Sequence, residues 1–190
     1  MKIGIVTLVG EFNYGNLLQS YALQTALERM GHDVAILNRR PKRSLCLLFL
    51  RVLSFLKSIY SRYFFNNKDI LIVNPFSENY IVRNRVDCSR LNDFAVKYLN
   101  RTYPLRSSSE MMRYDRKEMF DAYVVGSDQV WREQYTLFIE EMFLSFLSDD
   151  SKAKRIAYAA SFGTDDSFIS SDKLTACRDL LKRFNFVSVR

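Results

Sequence analysis

The chain has 190 residues, 48% of them hydrophobic and 26% charged, which excludes a disordered tail or a repeat array and is enough for one well-buried domain. Its three cysteines, Cys46, Cys88 and Cys177, lie far apart without any CxxC spacing, which argues against a disulfide framework or a zinc site and fits a reducing cytoplasm. The net charge of +7 is local: eight basic residues and no acidic one lie between positions 34 and 68, and the rest of the chain carries 20 basic against 21 acidic residues, so no nucleic-acid-binding face is spread over the domain.

From the amino terminus, residues 2–8 form a compact apolar strand, and the run IGIVTLVG is too short for a secretory signal. A polar loop, GEFNYGN, follows. Residues 17–30 have the apolar spacing of a helix, with Gly31 placed to stop it and His32, the sole histidine, in the next turn. Residues 34–37 are a second strand, which completes a βαβ unit with a right-handed crossover between parallel strands. The basic segment at about 39–68 contains LCLLFLRVLSFLKSIYSRYFF, residues 45–65, in which Arg51, Lys57 and Arg62 make a poor membrane span. On a helix these three and Ser54, Ser58 and Ser61 form a narrow polar stripe beside a wide apolar face. Two readings compete for it: a helix packed on this domain or a missing one, or a peripheral membrane contact through 39–65, with the basic cluster on anionic head groups. Residues 70–73 suggest a short strand, and 87–100 and 107–120 a loop and helix region. The run DAYVVGSDQVW then carries a strand at 122–125 that stops at Gly126. Residues 154–160 are a strand ending in SFG, 171–183 a helix and 186–189 a last strand. No Pro-rich or Gly/Ser-rich linker divides the chain.

Alternating strands and helices imply an α/β, Rossmann-like parallel sheet, a single domain over 1–190. Its carboxyl strand ends share one edge, so the loops after the first strand, at Gly126 and at Ser161 should converge on one crevice. Asn13, Asn16, Gln19 and Gln24 are neutral hydrogen-bonding groups near the start of the first helix, where backbone N–H groups also favour an anion; the alternative for Asn13 and Asn16 is capping and turn making. Asp128 is the carboxylate of its loop, able to accept a hydroxyl proton, orient an arginine or cap a helix. Trp131 suits either stacking on a sugar or the core, and Tyr158 and Ser161 are similarly divided. The first loop lacks both the dinucleotide fingerprint and the Gly-Lys-Ser/Thr of a P-loop, and one histidine cannot build a multi-histidine metal site. The crevice loops themselves hold no basic residue.

The pieces MKIGIVTLVGEFNYGNLLQSYALQTALERMGHDVAIL, FDAYVVGSDQVW, FLSFL, KRIAYAASFG and LLKRFNFVSVR, in this order, resemble the polysaccharide pyruvyl transferase family. The pairing of GSDQVW with YAASFG carries most of the likeness. Arg132 and Glu133 stand where an asparagine is usual after the tryptophan, and the middle of the chain carries no family motif. The resemblance implies the amino-terminal half of a two-domain GT-B-type fold, truncated in the gene or the protein as made. It also implies transfer of a pyruvyl group from phosphoenolpyruvate to a sugar hydroxyl pair, forming a pyruvate ketal in exopolysaccharide or cell-envelope glycan synthesis. Asp128 is then the candidate catalytic residue. Asn13, Tyr14, Gly15, Asn16, Gln19, Gly126, Ser127, Gln129, Trp131, Ser161 and Gly163 are the candidate substrate-binding residues. No metal and no resident cofactor are expected, phosphoenolpyruvate being the donor substrate. The implied partners are a lipid-linked or polymeric glycan acceptor and a second domain or partner chain that completes the cleft. A non-catalytic remnant, a glycan-binding module and a GT-B-type glycosyltransferase are the competing readings.

Overall fold

The computed structural model describes residues 1–8, 13–42, 45–65, 72, 89–136, 138–164 and 169–189. In chain order these form β1 (Lys2–Val6), α1 (Tyr14–Arg29), β2 (Asp33–Ile36), α2 (Leu45–Phe64), α3 (Ser89–Tyr98), α4 (Ser108–Glu118), β3 (Ala122–Asp128), two short 3-10 turns (Glu133–Tyr135 and Ile139–Phe143), β4 (Lys154–Ala160), α5 (Ser171–Leu181) and β5 (Phe186–Val189). The chain divides into two compact units, Met1–Pro41 with Leu91–Arg190, and Lys42–Arg90. The larger unit holds the sheet and the smaller one holds α2. The strand expected at 70–73 lies outside the described residues except for Ile72, which belongs to no strand.

All five strands are parallel, in the order β2-β1-β3-β4-β5, which confirms the α/β, Rossmann-like fold class. Ile3 pairs with Val34 on one side and Ala122 on the other, so β1 and β3 form the centre. A central parallel strand is covered on both faces, and Ala122–Val125 is accordingly one continuous buried run rather than an alternating one. Tyr123 lies fully inside, its hydroxyl donating to Asp115 Oδ1 at 2.7 Å; burial, with Asp115 adding to it, holds the phenol well above its ordinary range. The core continues through Leu37, Leu105, Phe143, Phe146 and Trp131.

β3 runs to Asp128 rather than ending at Gly126, with Gly126 opposite Tyr158 and Asp128 opposite Ala160. The absence of a side chain at Gly126 serves this pairing, because a Cβ there would lie 2.1 Å from the Tyr158 carbonyl oxygen. α1 starts at Tyr14, three residues before the apolar periodicity begins, because the Asn13 carboxamide caps it. It ends before Gly31, whose φ of 84° is the left-handed geometry that favours glycine. In the smaller unit, Leu48, Val52, Phe55 and Ile59 of α2 are half-buried, while Leu45, Phe49, Leu53, Leu56, Tyr60 and Tyr63 are exposed. No described helix is long and apolar enough to cross a membrane.

Candidate functional site

In a sheet of order β2-β1-β3-β4-β5 the chain leaves β1 toward one edge and later returns to place β3 on the other side, so the order reverses between β1 and β3. The carboxyl ends of the strands on either side of such a reversal diverge and leave a crevice. Here it is a cavity of about 520 Å3. Thr7 and Leu8 border it from the end of β1, Asn13 and Asn16 from the start of α1, Arg39–Pro41 from the segment after β2, and Asp128 and Gln129 from the end of β3. Tyr135, Thr136, Glu141 and Met142 close it.

The walls at the ends of β1 and β3 are tied by one side chain. Gln19 donates from Nε2 to Thr7 Oγ1 at 2.8 Å and accepts at Oε1 from Ser127 Oγ at 2.7 Å. Asn13 accepts the Gly15 N–H at 2.8 Å, so it caps α1 and borders the cavity at once. Asp128 has φ 83°, a left-handed conformation that is uncommon outside glycine and tolerated by aspartate. Its carbonyl accepts from the N–H groups of Val130 (2.8 Å) and Ser161 (3.0 Å), and the Ser161 carbonyl accepts from the Trp131 N–H (3.2 Å). These bonds clamp the β4 loop behind the β3 loop. Gly163 packs so closely on Gln129 that a Cβ would lie 2.3 Å from its side chain.

Of the residues selected from sequence, Asn13, Asn16, Asp128 and Gln129 border the cavity together. Gln19, Ser127, Ser161 and Gly163 support them from behind, so the third loop expected to open into the crevice braces it instead. Gly15 contributes its N–H to the Asn13 cap, Gly126 serves strand pairing, and Tyr14, 70% exposed, lies outside the lining. Gln24 accepts the Asn100 N–H and donates to the Tyr98 carbonyl, satisfying backbone far from the cavity. Trp131 is a correction: its ring stacks on Phe143 at 5.2 Å and meets Phe162 at 5.6 Å, leaving it 2% exposed and without a face for a sugar. The aromatic ring at the cavity is Tyr135, which is 55% exposed.

The cavity also corrects the expectation that the crevice lacks basic groups. Arg39 is buried and grips Glu141 in a bidentate pair, Nε to Oε2 at 2.7 Å and Nη2 to Oε1 at 3.1 Å. Ser108 Oγ donates to the same carboxylate at 2.7 Å, and Arg39 Nη1 also donates to the carbonyls of Arg40 and Leu105. Such a fully hydrogen-bonded pair is the form in which buried charges are tolerated. It removes Arg39 from any surface cluster that meets head groups. It also holds the backbone of Arg40, a residue that borders the cavity and whose Nε donates to Asn38 Oδ1 at 2.8 Å. Arg39, Arg40 and Glu141 were visible in the sequence only as charges; their meeting depends on β2 lying next to β1, which no local pattern reports.

A family model described as polysaccharide pyruvyl transferase matches residues 13–190. The chain belongs to the polysaccharide pyruvyl transferase family. Neither a curated protein nor a solved structure matches it. Membership in this family implies a glycan acceptor. The two residues that follow Trp131 are tied to neighbouring groups. Arg132 donates to the side chains of Gln129 and Gln134, and Glu133 accepts from Lys173 Nζ at 2.5 Å and from the Ser170 N–H at 2.8 Å. The Lys173 contact first, then the Ser170 N–H, lowers the Glu133 carboxyl to about 2.

Proposed function

We propose that the cavity between β1 and β3 is the acceptor side of a site that transfers a pyruvyl group from phosphoenolpyruvate to two hydroxyls of a glycan. The overall change forms two C–O bonds at the donor's C2, breaks its bond to the phosphate oxygen, and moves one hydroxyl proton to the methylene carbon and the other to the departing phosphate. The observation that carries the reading is that an aspartate, Asp128, and an arginine, Arg40, line one cavity in a chain of this family.

Asp128 accepts the acceptor hydroxyl proton. Arg40 holds a carboxylate or phosphate oxygen in the fork geometry that guanidinium provides. Asn13 and Asn16 bond sugar hydroxyls, and the exposed Tyr135 ring supplies a face for the sugar's apolar side. The acid that protonates the methylene carbon comes from a facing domain of the GT-B type, on a longer chain or a partner. An exopolysaccharide or envelope glycan, lipid-linked or polymeric, is the acceptor class, and the cytoplasm is the setting.

The test is release of phosphate from phosphoenolpyruvate with a glycan acceptor, run on this chain alone and in the presence of a candidate facing domain. Asp128→Asn is expected to lower turnover about a hundredfold or more. An unchanged rate removes Asp128 from the base role. Glycan binding without phosphate release in either form turns the reading to a binding module.

A further inference from the structure

A hydroxyl has one hydrogen to give and two lone pairs with which to receive, and a carboxamide has two hydrogens and a carbonyl oxygen. Where such groups meet out of water, counting the hydrogens fixes the direction of every bond. Gln19 meets three hydroxyls: its Nε2 lies 2.8 Å from Thr7 Oγ1 and 3.1 Å from Ser20 Oγ, and its Oε1 lies 2.7 Å from Ser127 Oγ. Ser20 Oγ also lies 2.7 Å from the Asn16 carbonyl, which can only accept, so Ser20 gives its hydrogen there and receives from Gln19. The atom of Gln19 that faces Ser20 and Thr7 is therefore the nitrogen, with both of its hydrogens used, and Oε1 receives from Ser127. One hydrogen is left over. Thr7 Oγ1 receives from Gln19, and the hydrogen of its own hydroxyl has no acceptor among the described residues. Thr7 is only 2% exposed, and buried donors are seldom left without a partner. It borders the cavity, so the cavity is the side from which an acceptor can reach it.

The kind of acceptor follows from what stands beside Thr7. Val6 pairs with Val125, so the ends of β1 and β3 are neighbours, and one carboxamide joins Thr7 to Ser127, the residue before Asp128. A donor hydrogen and an aspartate thus belong to the same end of one cavity. A carboxylate or phosphate oxygen could receive from Thr7 but brings no proton for Asp128. A sugar hydroxyl does both, its oxygen receiving the Thr7 hydrogen while its own hydrogen goes to the aspartate. Asn13 and Asn16, neutral groups of the same lining, suit the neighbouring hydroxyls of a sugar.

We infer that Thr7 is a binding residue of the cavity and gives its hydroxyl hydrogen to a hydroxyl oxygen of the acceptor sugar, with Gln19 positioning it by occupying its lone pair. The inference rests on the reading of the cavity as an acceptor site. The probes are the methyl glycosides of glucose, galactose and mannose, each with its monodeoxy analogues, and phosphoenolpyruvate, titrated separately into the isotope-labelled full chain and followed by NMR. Thr7→Val and Thr7→Ala are expected to weaken glycoside binding about fivefold or more, and Thr7→Ser to stay within about twofold of the unaltered chain. Removing one particular sugar hydroxyl is expected to cost the unaltered chain about the same factor and the two hydroxyl-free variants nothing further, the non-additivity of groups in direct contact. Urea midpoints verify that each variant is folded, and Thr7→Ala decides if the methyl group that Thr7→Val puts in place of the hydroxyl is not accommodated. Glycoside binding that is unchanged in Thr7→Ala, or lost equally in Thr7→Ser, overturns the inference and leaves the acceptor reading standing. A loss confined to phosphoenolpyruvate gives the hydrogen to the donor and overturns it too. The expected pattern of glycoside binding without any release of phosphate upholds Thr7 and removes pyruvyl transfer. No glycoside binding by the unaltered chain overturns both.

Discussion

Replacing Gly126 by alanine would place a methyl carbon 2.1 Å from the Tyr158 carbonyl oxygen, at a φ of 124° that L residues rarely adopt. The obstacle is backbone in a paired strand, so no side-chain rotation relieves it. Gly126→Ala is therefore expected to destabilise the fold by about 3 kcal/mol or more, read as a lower urea midpoint. The residue was legible in sequence as a special position, yet its purpose was not: the glycine that seemed to end a strand permits the strand to continue. Trp131 shows the converse limit. Its place beside a polar loop suggested a sugar platform, but the rings that cover it, Phe143 and Phe162, come from segments whose packing no local pattern predicts. Asn13 caps α1, as one of its two readings had it, and also borders the cavity.

At the scale of elements, the chain's apolar runs predicted all five strands of the sheet, because buried parallel strands are continuous and short. The strand order was not legible, and the cavity follows from that order. With β2 beside β1, the segment after β2 enters the site and brings Arg39 and Arg40; with β4 outside β3, the SFG loop moves behind it. The start of α5 is held by Glu133, which bonds the Ser170 N–H and Lys173. Because its carboxyl falls from 4.5 to about 2 in the folded chain, Glu133 binds its proton more readily when unfolded. Its stabilising effect is complete above about 4.5 and disappears as the pH falls toward 2. Thermal unfolding across this window should show a smaller acid dependence in Glu133→Gln than in the unaltered chain, from a lower starting stability. Identical pH profiles would detach Glu133 from the acid response.

Across the whole molecule, the two edges of the sheet are treated unequally. β2 is largely buried, whereas β5 leaves Phe186 59%, Val187 42% and Val189 67% exposed beside an unpaired backbone edge among the described residues. Such an edge is a template for another strand. Val189→Lys should raise the concentration at which light scattering detects self-association and leave the thermal midpoint nearly unchanged; an unaltered onset would exonerate the edge. The same sheet brings together the walls of the cavity from Thr7, Leu8, Asn13 and Asn16, from Arg39, Arg40 and Pro41, and from Asp128 and Gln129, with Ile3 paired to Ala122 across more than a hundred intervening positions. Closing so long a loop is entropically costly before it is rewarded by contacts. On the ribosome, the β1–α1–β2 unit therefore emerges and can pair well before its pocket exists. The cavity is completed late in synthesis, when the segment that carries Asp128 and Glu141 arrives to meet walls made long before.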